Sequence, residues 1–295
     1  MGVKRHFLGW DRPLVEAVSD FLLPEEPTDS VDMTGCVIVV PTREAGRRLR
    51  ECLTRRCADR GVALLSAETL TPADFVRPEH GAQPIASGTQ IKSVWAEVLR
   101  HTDESRLRGL FPHRLPERDF GWAARTGEML QRLRETLSEG GYALADVAAA
   151  AGTALEEPER WEGMARLEAD YRKRLAALSV IDPCDAKREL AAKPRLPEAA
   201  ERVVIAAVPD PSLLALKAMR QVAESLPVDL LVHAPADRAD GFDVWGRPRP
   251  ETWREETLDV ADPSGGIALA ASPQDQCRLV TRRLERYAAV VSPGT

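Results

Sequence analysis

Aromatic side chains are scarce in this chain, at 5% of 295 residues, which leaves little material for a platform on which nucleic-acid bases could stack. Cysteines number five, Cys36, Cys52, Cys57, Cys184 and Cys277, with no C-x-x-C pair. That spacing argues for reduced thiols and against a zinc site. The histidines, His6, His80, His101, His113 and His233, are scattered without H-E-x-x-H or similar ligand spacing, which argues against a metal site. No apolar run approaches the roughly 18 residues that a membrane span requires. The opening MGVKRHFLGWDRP has no signal-peptide core, so the expectation is a cytoplasmic globular protein with no membrane partner. Excess positive charge is missing too. With a net charge of −6, any contact with nucleic acid must come from a local basic surface.

Catalytic motifs are also absent. A P-loop needs G-x-x-x-x-G-K-[ST], because glycine amides wrap the phosphates and the lysine reaches the outer ones. The first strand-turn-helix pattern instead carries Gly9-Trp10-Asp11-Arg12-Pro13, with a bulky ring and a carboxylate where phosphate would lie. Gly88-Thr89-Gln90-Ile91-Lys92-Ser93 has isoleucine before its lysine and reads as a plain helix start. A magnesium-holding acidic pair belongs at the end of a buried strand. Val203 to Val208 ends in alanine and valine, and Asp210, beyond Pro209, reads as a helix cap. Metal-nuclease chemistry wants an aspartate on one strand and Glu-x-Lys on the next. Its nearest imitation, Asp182 with Asp185-Ala186-Lys187, falls on one helix. There is no G-x-S-x-G and no Cys-His nucleophile arrangement.

What is present centres on Cys36 to Arg56, CVIVVPTREAGRRLRECLTRR. Cys36 to Val40 is a β-branch-rich run of the kind buried on both faces of a parallel sheet. Pro41 ends it and Thr42 can cap a helix with Ala45, Leu49 and Leu53 on its apolar stripe and arginines elsewhere. In an open α/β sheet ligands bind at the carboxyl ends of strands, and a helix N-terminus there favours an anion. Thr42 and Arg43 with the free amides of that turn suit a phosphate oxygen, and Arg47 and Arg50 extend a basic stripe at i+4 and i+7. The plainer alternative is a solvated basic helix.

Around this stretch, Arg5 to Trp10 reads as a strand, with Asp11 capping a helix through Leu14, Val18, Phe21 and Leu22. Val62 to Ser66 is a second apolar run, and Thr71-Pro72 opens another helical turn. Two β-α units in a row suggest a parallel sheet. From Gly88 to Lys193 helical periodicity dominates, with one face on Ile91, Val94, Trp95 and Val98, another on Trp122, Met129, Leu130, Leu133 and Leu137, and a third on Met164, Leu167, Tyr171 and Leu175. The α/β pattern then resumes with strands at Val203 to Val208 and Val228 to Val232 around a helix at Ser212 to Leu226. A last strand at Ile267 to Ala271 precedes a helix from Pro273 to Val291.

Four stretches in this order carry a family resemblance: Phe7-Leu8-Gly9-Trp10-Asp11-Arg12-Pro13 at a degenerate P-loop position; Val39-Val40-Pro41-Thr42-Arg43 with Arg47-Arg48-Leu49-Arg50; Val203 to Asp210 at a Walker B position; and Phe242-Asp243 with Trp245-Gly246 and Trp253. Together they resemble the N-terminal, helicase-like part of AddB-type and RecC-like subunits of double-strand break repair, described with the PD-(D/E)XK nucleases. The second stretch looks like helicase motif Ia, which touches the single-strand backbone. The resemblance implies an α/β fold, a parallel sheet of degenerate superfamily 1 helicase (P-loop-like) type with a helical insertion domain. Its parts would be domain 1A over residues 1–87 and 199–266, a 1B-like insertion over 88–198, and the start of a truncated 2A-like domain over 267–295. It further implies an inactivated module, with no cofactor and no catalytic residue of its own. Such a module would hold single-stranded DNA without sequence preference through Thr42, Arg43, Arg47 and Arg50, beside a helicase or nuclease partner subunit. Full-length relatives continue into a C-terminal exonuclease domain. The rival expectations are a docking domain for a partner helicase subunit and an independent enzyme on a nucleotide-binding fold.

Overall fold

The computed structural model describes residues 2–25, 29–80, 82–111, 117–150, 156–257 and 267–290; His113 and residues 291–295 lie outside them. The chain divides into two compact units, Met1–Arg249 and Pro250–Thr295. In the first, β1 (Val3–Phe7) leads to α1 (Leu14–Leu22), β2 (Ser30–Asp32), β3 (Cys36–Val39), α2 (Arg43–Asp59), β4 (Ala63–Leu65) and β5 (Glu68–Leu70). Six helices follow: α3 (Gly88–His101), α4 (Glu104–Leu107), α5 (Phe120–Glu139), α6 (Leu144–Ala150), α7 (Pro158–Ala177) and α8 (Pro183–Ala192). The unit then returns to β6 (Arg202–Ala206), α9 (Leu213–Ser225) and β7 (Val228–Val232).

The main sheet has the order β1-β7-β6-β3-β5, and every pairing is parallel. Its central strands are apolar apart from Arg202 and Asp229, because both faces are covered. Ile38, Val40, Val204, Ala206 and Leu231 pack against Val18, Leu22, Leu49 and Leu53 of α1 and α2. The alternate residues Val37, Val39, Val203, Ile205 and Leu230 are equally buried on the opposite face. The expected second β-α unit forms differently. Ala63–Leu65 pairs with β2 in a separate two-stranded sheet, and it is Glu68–Leu70 that extends the main sheet beside β3.

Two caps differ from the sequence reading. The residue before α1 is Pro13, whose carbonyl accepts from Glu16 and Ala17 at 3.0 and 3.1 Å. The Asp11 carboxylate lies over Gly9 and makes no cap to the helix. Likewise Ser212, not Asp210, caps α9, its Oγ accepting from the Ala215 N–H at 3.2 Å, because Pro211 places the serine next to the first turn.

The helical insertion starts and ends side by side: Ala86 N–H donates to the Ile181 carbonyl at 2.8 Å and Ile181 N–H to that of Pro84 at 2.9 Å. Trp95 and Tyr171 stack at 4.1 Å between centroids, 7° apart, at the centre of its core. Against this stack α5 presents Ala123, Gly127, Leu130 and Gln131, while Met129, expected on that face, is 71% exposed. Buried in the same helix, Arg134 pairs with Glu168 at 2.7 Å and with Asp182 and Asp185 at 2.9 Å each.

The second unit contains α10 (Pro250–Trp253) and α11 (Pro273–Val290). Ile267 to Ala271 forms no strand: it has no ladder partner among the described residues, and Leu269 is 92% exposed. No helix among the described residues is long and apolar enough to cross a membrane.

Candidate phosphate-binding cleft

The connections of the main sheet mark where a ligand site belongs. From β3 the chain moves to β5 on one side, whereas from the adjacent β6 it moves to β7 on the other. Neighbouring strands whose connections diverge leave a crevice outside their carboxyl ends. A cleft of about 1090 Å³ opens there, lined by Pro41 and Arg43 after β3, Thr71 to Asp74 with Val76 to Glu79 after β5, and Val208 to Ser212 after β6. Glu139 of α5 and Lys187 of α8, paired at 3.4 Å, contribute from the insertion.

Pro41 ends β3, and Thr42 then turns the chain into α2. Its backbone is extended and its Oγ1 accepts from the Ala45 N–H at 3.1 Å. Arg43 thus stands at the first helical position, 78% exposed. Gly46 lets α2 approach β5: a Cβ there would lie 2.7 Å from Thr69 Cγ2. A second groove results, continuous with the cleft at Arg43, Thr71, Asp74 and Arg77, and carrying Arg50, Gly46 and Glu68.

Of the four residues expected to bind phosphate, Arg43 lines both the cleft and the groove and Arg50 lines the groove, whereas Thr42, its Oγ1 capping α2, and Arg47 line neither. At about 100° per residue, Gly46 and Arg50 fall on one side of Arg43 and Arg47 on the other. Arg47 is there held by two carboxylates, donating Nε to Glu44 at 2.9 Å and Nη2 at 2.6 Å, with Nη1 on Glu51. Arg48 also donates to Glu44 at 3.0 Å. These donors hold the Glu44 carboxyl down to about 2. The expected basic stripe is therefore partly neutralised on its solvent side, while Arg50 makes no ion pair among the described residues.

Arg77 and Asp74 were not singled out by the sequence. The Thr71-Pro72 helix start was visible, but that β5 lies beside β3, and so brings Asp74 within reach of Arg43, depends on strand order.

The turn after β1 is closed by its neighbours. Leu8 N–H donates to the Val232 carbonyl at 2.9 Å, Gly9 N–H to that of Ala234 at 3.0 Å, and the Trp10 indole to that of His233 at 2.7 Å. The Asp11 carboxylate lies over Gly9, 2.6 Å from where a Cβ would be. At the end of β6, Ala207 takes a left-handed φ of 49° and donates to Leu231, offering no carboxylate. Among the described residues no group of three or more His, Cys, Asp or Glu is placed to hold a metal ion. The Phe242 to Pro248 loop packs onto the sheet: a Cβ on Gly246 would lie 2.6 Å from Leu230 Cδ2, and Trp245 is buried.

No protein-family model matches this chain, and no curated protein matches it.

Proposed function

We propose that this chain is an inactivated helicase-like module that seats the phosphate backbone of single-stranded DNA along the groove between α2 and β5, without hydrolysing ATP. The observation that carries the reading is the convergence of Arg43, Arg50 and Arg77 on the groove between α2 and β5, which adjoins the cleft at the switch point of a parallel sheet. Exposed guanidinia on rigid elements suit phosphate oxygens and read no sequence. The turn after β1 supports the absence of nucleotide chemistry, since its Gly9 amide is already bonded and its Asp11 carboxylate would repel a phosphate. The order of the four stretches in the sequence supports a place within an AddB- or RecC-type repair nuclease, beside a helicase partner.

A second reading, a docking domain for a partner subunit, is favoured by the composition of the larger cleft. Pro41, Pro72, Pro78, Pro209 and Pro211 line it, with Glu79 and Asp210 unpaired by any arginine or lysine among the described residues. Such walls are rigid, poor in N–H donors and mixed in charge, which suits a peptide better than a polyanion.

Titration of a labelled thymidine oligonucleotide at several salt concentrations separates the two. The backbone reading expects a dissociation constant on the order of 10 to 100 micromolar near physiological salt, steeply salt-dependent and indifferent to base sequence. An oligonucleotide that fails to bind even at 20 millimolar salt leaves the docking reading in its place.

A further inference from the structure

We infer that Arg77 is a phosphate-contacting residue of this groove and that Asp74 positions it beside Arg43, the three forming one phosphate seat. This deepens the backbone reading and rests on it for the polymer, while the seat itself is a matter of two guanidinia and one carboxylate. Asp74 is only 9% exposed, and its orientation is fixed by the turn it belongs to: Oδ2 accepts from the Thr71 N–H at 2.7 Å and from the Thr71 hydroxyl at 2.8 Å. The other oxygen, Oδ1, is itself buried and meets two arginines, ion-paired with Arg77 Nη2 and 3.9 Å from Arg43 Nη2.

One carboxylate between two guanidinia leaves one positive charge over. Glu68 on the groove, and Glu79, Glu139 and Asp210 on the adjoining cleft, pair with neither arginine. An arginine has five N–H donors in a planar fork, so pairing one edge with Asp74 leaves donors for a second anion. The loop after β5 and the helix after β3 thus offer guanidinia from two separate chain segments to the same point, which holds their spacing without help from the ligand. Arg50, about 10 Å farther along α2, lies on the same groove and extends the contact to a further phosphate.

The test uses two probes, a labelled thymidine 15-mer followed by anisotropy at three salt concentrations and inorganic pyrophosphate followed by calorimetry, with circular dichroism to confirm folding. Arg77→Ala should weaken the oligonucleotide about three- to tenfold at low salt and reduce the salt slope by about one. Arg77→Lys should keep the slope and recover only part of the affinity, because it retains the charge and loses the fork. Pyrophosphate should weaken with Arg43→Ala and with Arg77→Ala alike. Oligonucleotide binding that depends on Arg43 but is unchanged by Arg77→Ala in affinity and slope overturns the seat and leaves the backbone reading standing. Pyrophosphate binding that needs both arginines, with no oligonucleotide binding, upholds the seat and overturns the polymer. Should Arg77→Ala not fold, Arg77→Lys decides: lower affinity at an unchanged slope supports the seat, and no change in either refutes it.

Discussion

Arg134 is a cation buried among three carboxylates, with its guanidinium 5.0 Å from the Tyr171 ring. Burial works against its charge, but Asp182, Asp185 and Glu168 outweigh that and hold it ionised. Taking away one partner of such a group leaves the rest uncompensated, so Arg134→Ala should cost roughly 3 to 5 kcal/mol in urea unfolding. Burial likewise opposes the charge of Asp182, yet Arg134, the Tyr171 hydroxyl and the Cys184 amide together lower its carboxyl below the usual range. A carboxyl depressed in the folded state contributes stability above its unfolded value of about 3.9, and that contribution is lost as pH falls through the folded value. Melting temperature should therefore hold between pH 7 and 5 and drop below about pH 4. In Arg134→Ala the acid loss should shrink or reverse, because Asp182 has lost the charge that depressed it. Beside it the Cys184 thiol is pushed up to about 12 by burial and by Asp182. Four cysteines are buried and Cys277 is exposed; brief iodoacetamide treatment of the native protein should give one adduct by mass spectrometry, on Cys277.

Elements show how far the sequence could be read. Cys36–Val39, Pro41 and the Thr42 cap were legible because each depends only on neighbours: an apolar run, a missing N–H, a hydroxyl three residues before an amide. The α1 and α9 caps were not, since a proline between the candidate and the helix moves the cap by two residues, from Asp11 to Pro13 and from Asp210 to Ser212. Ile267 to Ala271 has a strand's composition, but a strand exists only with a partner, and composition does not supply one. The Arg134 cluster was equally hidden, because Glu168 lies 34 residues away and Asp185 lies 51 away, beyond the reach of helical periodicity. Close element crossings leave a clearer trace, in glycine. Gly127 sits where α5 crosses α3, and a Cβ would lie 2.6 Å from Trp95 Cβ. Gly127→Ala removes a poor helix former, which alone would stabilise the helix by up to about 1 kcal/mol. The clash with a buried tryptophan should win, leaving a net loss of about 1 to 3 kcal/mol in chemical unfolding.

At the scale of the molecule, a net-acidic chain concentrates three arginines at one edge of its sheet while closing the turn after β1, the place where a P-loop would hold phosphate. Calorimetric titration with magnesium-ATP should give no heat at micromolar affinity, since the turn carries no lysine, its Gly9 amide is already bonded and the Asp11 carboxylate lies over it. DNA should instead register at the groove. The most direct measurement is a nitrogen-proton correlation spectrum of the labelled chain with and without a thymidine 15-mer, repeated at high salt. Amide shifts at Arg43, Gly46, Arg50, Thr71 and Arg77 that disappear on raising the salt are the predicted result. Shifts confined to the insertion, or no shifts at an oligonucleotide concentration of several hundred micromolar, would contradict the account.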